Sequence, residues 1–120
     1  MSETPLDRLA ALGLTLPQAA APVATYVAAV QTGNMLVISG QLPLVEGKLK
    51  ATGKLGDAIS PELGKECARL CLLNVLAQVQ AAIGDLGRVK RVVRLGGFMA
   101  CTPDFMQHAA VMNGASDLAV

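Results

Sequence analysis

The sequence predicts an α+β domain, and three observations carry that prediction. Apolar residues make up 52% of the 120 residues and aromatic residues only 2%, so the core must be aliphatic. The run Ser60-Pro61-Glu62 is a strong helix start, and Gly84 suits the end of that helix. The turn signals Gly33-Asn34 and Glu46-Gly47 separate short apolar runs typical of hairpins. The predicted order is helix, hairpin, helix, strand, helix in a single domain over 1–120.

The N-terminal segment is predicted to form a short helix over 5–12. Pro5 suits the first turn, Asp7 suits the positive end of the helix dipole, and Gly13 suits the residue after the helix. Residues 14–24 are rich in Ala and Pro, so we expect an irregular segment that leads to the sheet.

A hairpin follows, with strands predicted over 25–31 and 35–42. Both residues of Gly33-Asn34 tolerate positive φ, which a tight hairpin turn requires. The second strand starts with four consecutive apolar residues, as expected of a central strand. Pro43 ends it, because proline cannot donate to a β-ladder. Glu46-Gly47 then predicts a second tight turn with a short arm.

The long helix is predicted over 61–83. Its charged stripe consists of Glu62, Lys65, Glu66 and Arg69. At 100° per residue, the same side continues with Leu72, Leu73, Leu76 and Ile83. An isolated chain is expected to expose this leucine patch, so another element or another subunit should cover it.

The C-terminal third is predicted to hold one strand and one helix. The strand runs over 89–101 and is interrupted at Gly96-Gly97, which implies a bulge or a close approach. Thr102-Pro103-Asp104 starts a helix over 105–118. Three or four strands are too few to cover the long helix, which indicates an incomplete domain or an oligomer.

The net charge, the length of apolar runs and the N-terminal residues bear on the partners and the location of the protein. Ten basic residues oppose nine acidic ones, a net charge of +1 that gives no long-range attraction to nucleic acid or to a membrane surface. No apolar run approaches the ~18 residues needed to cross a bilayer, and the first residues do not resemble a secretion signal. Three free thiols without such a signal predict a cytoplasmic protein.

The cysteines do not predict a metal site. Cys67 and Cys71 lie four positions apart, but no carboxylate motif accompanies them and the chain has one histidine, His108. We expect all three cysteines to act as small buried hydrophobes. Cys101 is a possible nucleophile, yet no partner histidine is evident in the sequence, and His108 is expected on a helix surface.

Several stretches, in order, resemble the RidA family, also called YjgF/UK114. The most specific is the run from Gly33-Asn34 to Ser39-Gly40-Gln41-Leu42-Pro43, which resembles the family signature after a hairpin turn. Other stretches that resemble family positions are Thr25-Tyr26-Val27, Asn74-Val75 in the long helix, Asp104-Phe105 after the last strand and Asn113 in the last helix.

This resemblance implies a particular fold and assembly. The family fold is similar to bacillus-type chorismate mutase: a mixed, mostly antiparallel sheet packed on one face by two helices. Three subunits close their sheets into a trimeric barrel, with ligand clefts between the subunits. In the family the last helix is followed by further strands, and this chain ends before them at Val120. We therefore expect a RidA-like domain that lacks the family's last strands.

The resemblance also implies an activity. Family members hydrolyse enamines and imines derived from amino acids, without a cofactor, and some are described as ribonucleases. The implied ligand-binding residues are Tyr26, Ser39, Gly40, Gln41 and Asn113. The family's substrate-clamping arginine and its glutamate lie in the absent strands, so the catalytic residues are unassigned. Arg88, Arg91 and Arg94 precede the last helix and are not substitutes.

Each candidate also has a structural interpretation. Ser39-Gly40-Gln41 is either a set of ligand-facing backbone groups or an ordinary strand terminus, and Tyr26 covers either a ligand or the hairpin. Asn113 is equally ambiguous, and Asn74 is expected to bond to backbone. The leading hypothesis is a small-molecule imine hydrolase. The alternative is a non-catalytic binder of small carboxylates or carbonyl compounds. A ribonuclease ranks third, because aromatic residues that could stack on bases are few.

Overall fold

The computed structural model of the chain describes residues 3–22 and 24–120. The helices in this part are α1 (Pro5–Ala11), α2 (Pro61–Ile83) and α3 (His108–Ala119), and the strands are β1 (Ala29–Thr32), β2 (Met35–Ile38), β3 (Leu44–Val45) and β4 (Lys48–Leu49). The predicted α+β class is confirmed. The chain divides into two compact units: the first comprises the chain up to Gln41 with Leu73–Arg91, and the second comprises Leu42–Leu72 with Val92–Val120.

In the first unit, β1 and β2 form the predicted antiparallel hairpin. Ala29 pairs with Ile38 and Thr32 with Met35, and Gly33 in the turn has a φ of 57°. Positive φ at the first central position alone is the pattern of a type II′ turn. Both strands are shorter than the predicted 25–31 and 35–42.

The shorter strands have a local cause. The chain bends over residues 24–26, where the Tyr26 N–H donates to the Ala24 carbonyl oxygen, so this backbone is not available to a ladder. On the other side, pairing ends with the hydrogen bond from the Ser39 N–H to the Ala28 oxygen. The predicted irregular segment 14–24 is confirmed for its described residues, and Val23 lies outside them.

The start of helix α1 is fixed by a local capping motif. Thr4 and Asp7 form a reciprocal capping box, in which the Thr4 hydroxyl accepts from the Asp7 N–H and the Asp7 carboxylate accepts from the Thr4 N–H. The helix lies against a 3₁₀ turn at Leu86–Arg88, and Leu9 and Leu86 are the buried residues of the two elements.

The bounds of α2 match the prediction. The Ser60 hydroxyl accepts from the Leu63 N–H at 3.1 Å, which satisfies one of the orphan donors of the first turn. At the other end, Gly84 adopts a φ of 81°, and its N–H donates to the Gln80 carbonyl oxygen. The Arg88 guanidinium donates to the Ile83 oxygen at 2.9 Å, and the helix therefore ends with its last carbonyl satisfied.

By length and composition alone, α2 is also apolar enough to cross a membrane, the one such helix in the part of the chain that the structure describes. The sequence-based statement that no run approaches this length is therefore wrong by this criterion. Core helices of soluble proteins meet the same criterion, and Leu72, Leu73, Ala77 and Val79 of α2 are buried within the chain.

The predicted leucine patch on α2 is only partly present. Leu72 and Leu73 are 4% and 6% exposed, so they are already covered within one chain, whereas Leu76 and Ile83 are half-buried. The sequence left open whether another element or another subunit covers this patch, and for Leu72 and Leu73 the chain itself provides the cover.

In the second unit, β3 and β4 form a two-residue hairpin. Glu46 and Gly47 have φ values of 52° and 80°, the two positive values that define a type I′ turn. The core cluster of this unit consists of Leu55, Ile59, Phe105 and Val111, with Ala51, Leu63, Met99 and Cys101 packed against it. Because Phe105 lies in this core, α3 begins at His108 and not at the predicted residue 105.

The long strand predicted over 89–101 is absent. In the described residues its only ladder contact is a parallel bridge between Leu55 and Cys101. Val92, Val93 and Phe98 are exposed at 51%, 75% and 103%. The described residues therefore form two two-stranded sheets and not the single sheet implied by the resemblance, because a β-prone segment becomes a strand only when another strand lies beside it.

Candidate functional site

The hairpin of the first unit positions four of the five predicted ligand-binding residues. Its antiparallel register places Tyr26 shortly before β1 and Ser39, Gly40 and Gln41 shortly after β2. The hydrogen bond from the Ser39 N–H to the Ala28 oxygen, 2.9 Å, holds the two chain segments together at this end. The structure thus brings these four residues to the hairpin end opposite its turn, which we call the open end.

Gly40 presents an uncovered stretch of backbone at the open end. A Cβ atom built on Gly40 would have no neighbour within 4 Å, and the residue is exposed. Backbone N–H and C=O groups that are not paired in secondary structure bind water or a ligand. Gly40 therefore offers a polar docking point that a larger side chain would partly cover.

Gln41 has a structural role in this arrangement. Its Nε2 donates to both the carbonyl oxygen and the Oγ of Ser39, each at 3.3 Å. Its Oε1 accepts from Nε2 of Gln78 at 3.5 Å, and the same Gln78 nitrogen donates to the Ala20 carbonyl oxygen at 2.6 Å. The side chain of Gln41 is thus occupied within the protein, and it positions Ser39.

Gln78 is the residue that sequence reasoning missed in this network. It is 6% exposed and lies one turn after Asn74, for which a bond to backbone was predicted. Asn74 itself is 4% exposed and has an interaction partner. The sequence does carry a signal for it: Asn74 and Gln78 are four positions apart on one side of α2. Buried amide side chains require hydrogen-bond partners, so both residues are expected to bond to other parts of the chain.

The two remaining candidates differ in their surroundings. Tyr26 is 43% exposed, and no hydrogen bond of its hydroxyl is found in the described residues. Its ring and hydroxyl are accessible at the open end. Asn113 belongs to the second unit, where it is exposed on α3.

A surface depression lies elsewhere in the first unit. It has a volume of about 350 Å³ and is lined by residues of α1 and of the 3₁₀ turn, among them Thr4, Arg8 and Asp85. None of the predicted ligand-binding residues lines it. We therefore place the candidate site at the open end of the hairpin, where four of these residues lie.

The cysteines fall into two classes. Burial raises the pKa of the Cys71 thiol to about 11, with a further contribution from Cys67. Burial and the neighbouring Glu66 raise the pKa of Cys67, and Lys50 partly opposes this. All three cysteines are free, and in the described residues no three His, Cys, Asp or Glu side chains are grouped to hold a metal ion.

Cys101 has the histidine partner that the sequence did not show. Its Sγ lies 3.3 Å from Nε2 of His108. The prediction that no histidine accompanies Cys101 is therefore wrong. The two residues are seven positions apart, and the residues between them form a loop, so neither helical nor strand periodicity predicts the contact.

Comparison with known proteins agrees with this fold. A family profile described as YjgF/chorismate mutase-like, "putative endoribonuclease", matches residues 6–120. The chain belongs to the YjgF family. The resemblance to this family that the sequence motifs predict is thereby confirmed.

Individual YjgF relatives support the same assignment. Protein TCP17 of Trypanosoma cruzi is 49% identical over 107 residues, which are 89% of this chain and 67% of that protein. A crystal structure described as a "putative endoribonuclease" of Shewanella oneidensis matches with a TM-score of 0.94 at 39% identity, over 97% of this chain and 77% of the other. Protein Atu1372 of Agrobacterium tumefaciens, of unknown function, matches with a TM-score of 0.87 at 43% identity, over 96% and 71%.

Proposed function

We propose that the protein is an enamine/imine deaminase-like hydrolase that acts on small carboxylates derived from amino acids, without a cofactor. In this reaction water adds to the C=N carbon, the C–N bond breaks, and ammonia leaves as a carbonyl group forms. Such catalysis requires a held substrate, a donor to the substrate and a positioned water. The observation that carries the proposal is the open end, where Ser39 and the uncovered backbone of Gly40 lie beside each other.

The Ser39 hydroxyl is suited to donate to an anionic substrate. Its Oγ accepts a hydrogen bond from Nε2 of Gln41, which orients the oxygen and leaves its own proton for another acceptor. A substrate carboxylate or imine nitrogen is such an acceptor. The accessible ring of Tyr26 provides an apolar surface and a further hydroxyl at the same end.

We also propose that the active assembly is a cytoplasmic homotrimer with its ligand clefts between subunits. Support comes from the outward face of the first hairpin, where Val30, Met35 and Val37 are exposed at 51%, 48% and 55%. Val30 and Val37 are direct cross-strand partners, so the apolar surface is continuous. Burial of each such side chain contributes roughly 1.5–3 kcal/mol, which favours association.

The test measures ammonia release from freshly generated 2-aminoacrylate. We expect acceleration over buffer by the wild-type protein, a large loss with Ser39→Ala and Gly40→Val, and no loss with Gln18→Ala, an exposed position in the irregular segment. Circular dichroism shows whether each variant retains its fold. A wild-type rate equal to that of buffer would remove the deaminase proposal.

A non-catalytic binding protein is the second candidate. The specific observation in its favour is composition: residues 24–42, which form the hairpin and its open end, contain no Asp, Glu, His, Lys or Arg. This segment supplies hydrogen bonds but no general acid or base of ordinary strength at neutral pH. Saturable binding of 2-oxobutyrate or benzoate, weakened by Gly40→Val and accompanied by no turnover, would establish this alternative.

Endoribonuclease activity is the third candidate, since two of the comparisons carry that description. The net charge of +1 and the 2% aromatic content offer little to hold an RNA backbone or to stack its bases. We expect RNA to stay intact under excess protein, and cleavage that Ser39→Ala abolishes would place ribonuclease above the deaminase proposal.

A further inference from the structure

Cys101 is held in a fixed position at the rim of the second unit's core. The Leu55 N–H donates to the Ala100 oxygen, and the Thr102 N–H donates to the Leu55 oxygen, both at 2.9 Å. These two bonds bracket Cys101 on either side. Its side chain packs against the core cluster yet remains partly accessible. The Cys101 side chain is therefore held in place without being fully buried.

The partner imidazole is also fixed. His108 is the first residue of α3, and its ring stands edge-on to the ring of Phe105, with centroids 5.2 Å apart and an interplanar angle of 74°. Phe105 is 7% exposed and belongs to the core, so it is a rigid support. This support directs Nε2 toward Sγ of Cys101 at 3.3 Å, within hydrogen-bonding range for sulfur.

We propose that Cys101 and His108 form a thiol–imidazole pair that makes Cys101 the site at which this chain is covalently modified by small electrophiles with electron-poor double bonds. A thiol becomes a nucleophile as its thiolate, and an adjacent imidazole is the base that generates it. The other two cysteines lack such a partner among the described residues. They are therefore the internal reference for the reactivity of Cys101.

The chemistry balances without an additional reactant. Nε2 takes the thiol proton, and the thiolate attacks the β-carbon of an α,β-unsaturated carbonyl compound. An S–C bond forms while the C=C π pair moves to the α-carbon, and the imidazolium returns its proton there. Metal binding is a weaker explanation of this pair. A closed zinc site needs four protein ligands, and the described residues contain no group of three His, Cys, Asp or Glu side chains that could hold a metal ion.

The test follows alkylation by N-ethylmaleimide at neutral pH, with each cysteine quantified separately by peptide mass spectrometry. In the folded wild-type chain we expect Cys101 to react at least ~10-fold faster than Cys71. His108→Ala and His108→Gln should both lower the alkylation rate of Cys101 by about tenfold or more, because each removes the imidazole base. Glutamine keeps a polar side chain, so its effect separates loss of the base from loss of polarity. The neighbouring substitution Gln107→Ala is the matched control, since this N-cap side chain makes no capping bond.

Two outcomes would overturn the proposal. One is equal labelling of Cys101 and Cys71 in the folded chain. The other is an unchanged Cys101 rate in His108→Gln, which would show that exposure alone sets its reactivity. In urea, all three cysteines should react alike in every variant, so that differences in the folded state report the pair and not the reagent. None of these readouts depends on deaminase activity.

Discussion

The Nε2 of Gln78 in α2 donates a 2.6 Å hydrogen bond to the carbonyl oxygen of Ala20, a residue 58 positions earlier in the chain. Gln78 is 6% exposed, and Ala20 lies in the Ala- and Pro-rich segment that has no regular structure. The bond satisfies a backbone carbonyl that no helix or sheet pairs. Through Gln41, the same side chain also reaches Ser39 at the open end of the hairpin.

Replacing Gln78 by methionine should lower the free energy of unfolding by about 1–3 kcal/mol. Methionine fills a similar volume, so the loss reports the unpaired Ala20 carbonyl and not a cavity. Urea denaturation followed by circular dichroism measures this. The exposed Gln18→Ala in the same segment is the control, with a change within about 0.5 kcal/mol. Equal stability of Gln78→Met and wild type would show that the bond contributes nothing net.

Gly114 marks a close approach between α3 and α2 in the second unit. A Cβ at this position would collide with the Lys65 carbonyl oxygen, which is backbone and cannot rotate away. Gly114→Ala should therefore destabilise the protein by about 1–3 kcal/mol, although alanine is the better helix former.

Gly40→Ala is the matched control for Gly114→Ala, because a Cβ at Gly40 has open space around it. We expect its thermal unfolding to stay close to wild type. A Gly114→Ala variant as stable as Gly40→Ala would show that the helices do not meet as closely as described.

The Thr4–Asp7 capping box predicts a pH dependence in α1. The Thr4 backbone N–H, and next its side chain, hold the pKa of the Asp7 carboxyl below its ordinary value. A depressed folded-state pKa means that the stabilisation is complete above the ordinary carboxyl pKa and is lost as pH falls through the folded value. Amide chemical shifts of α1 followed by NMR should show this acid transition, and Asp7→Asn should remove it. A carboxyl that titrates no lower than in an unfolded peptide would contradict the capping box.

The trimer prediction is tested on the apolar face of the first hairpin. Light scattering at micromolar concentration should give three times the chain mass of 12.3 kDa for the wild type. Val37→Lys places a charge on that face and should lower the mass, whereas Gln31→Lys on the opposite face of the same hairpin should not. A wild-type mass of 12.3 kDa without concentration dependence would show the trimer prediction to be wrong.

The sequence by itself determined the elements whose signals are local. Ser60 and Gly84 predict both ends of α2, because capping and positive φ act within one turn of the chain. Glu46-Gly47 likewise predicts its own turn. The motif Ser39-Gly40-Gln41 is also local, since its three residues are consecutive and directly follow a strand that the turn at Gly33-Asn34 predicts.

Only the tertiary structure decided what depends on distant partners. The segment 89–101 has strand-like composition, but among the described residues it forms only the single bridge to Leu55, whereas Leu72 and Leu73 are covered within one chain. The pairing of Cys101 with His108 depends on a loop whose path the buried Phe105 sets. Hydrogen bonds and packing between residues far apart in sequence have no local periodicity, so no sequence pattern could place them.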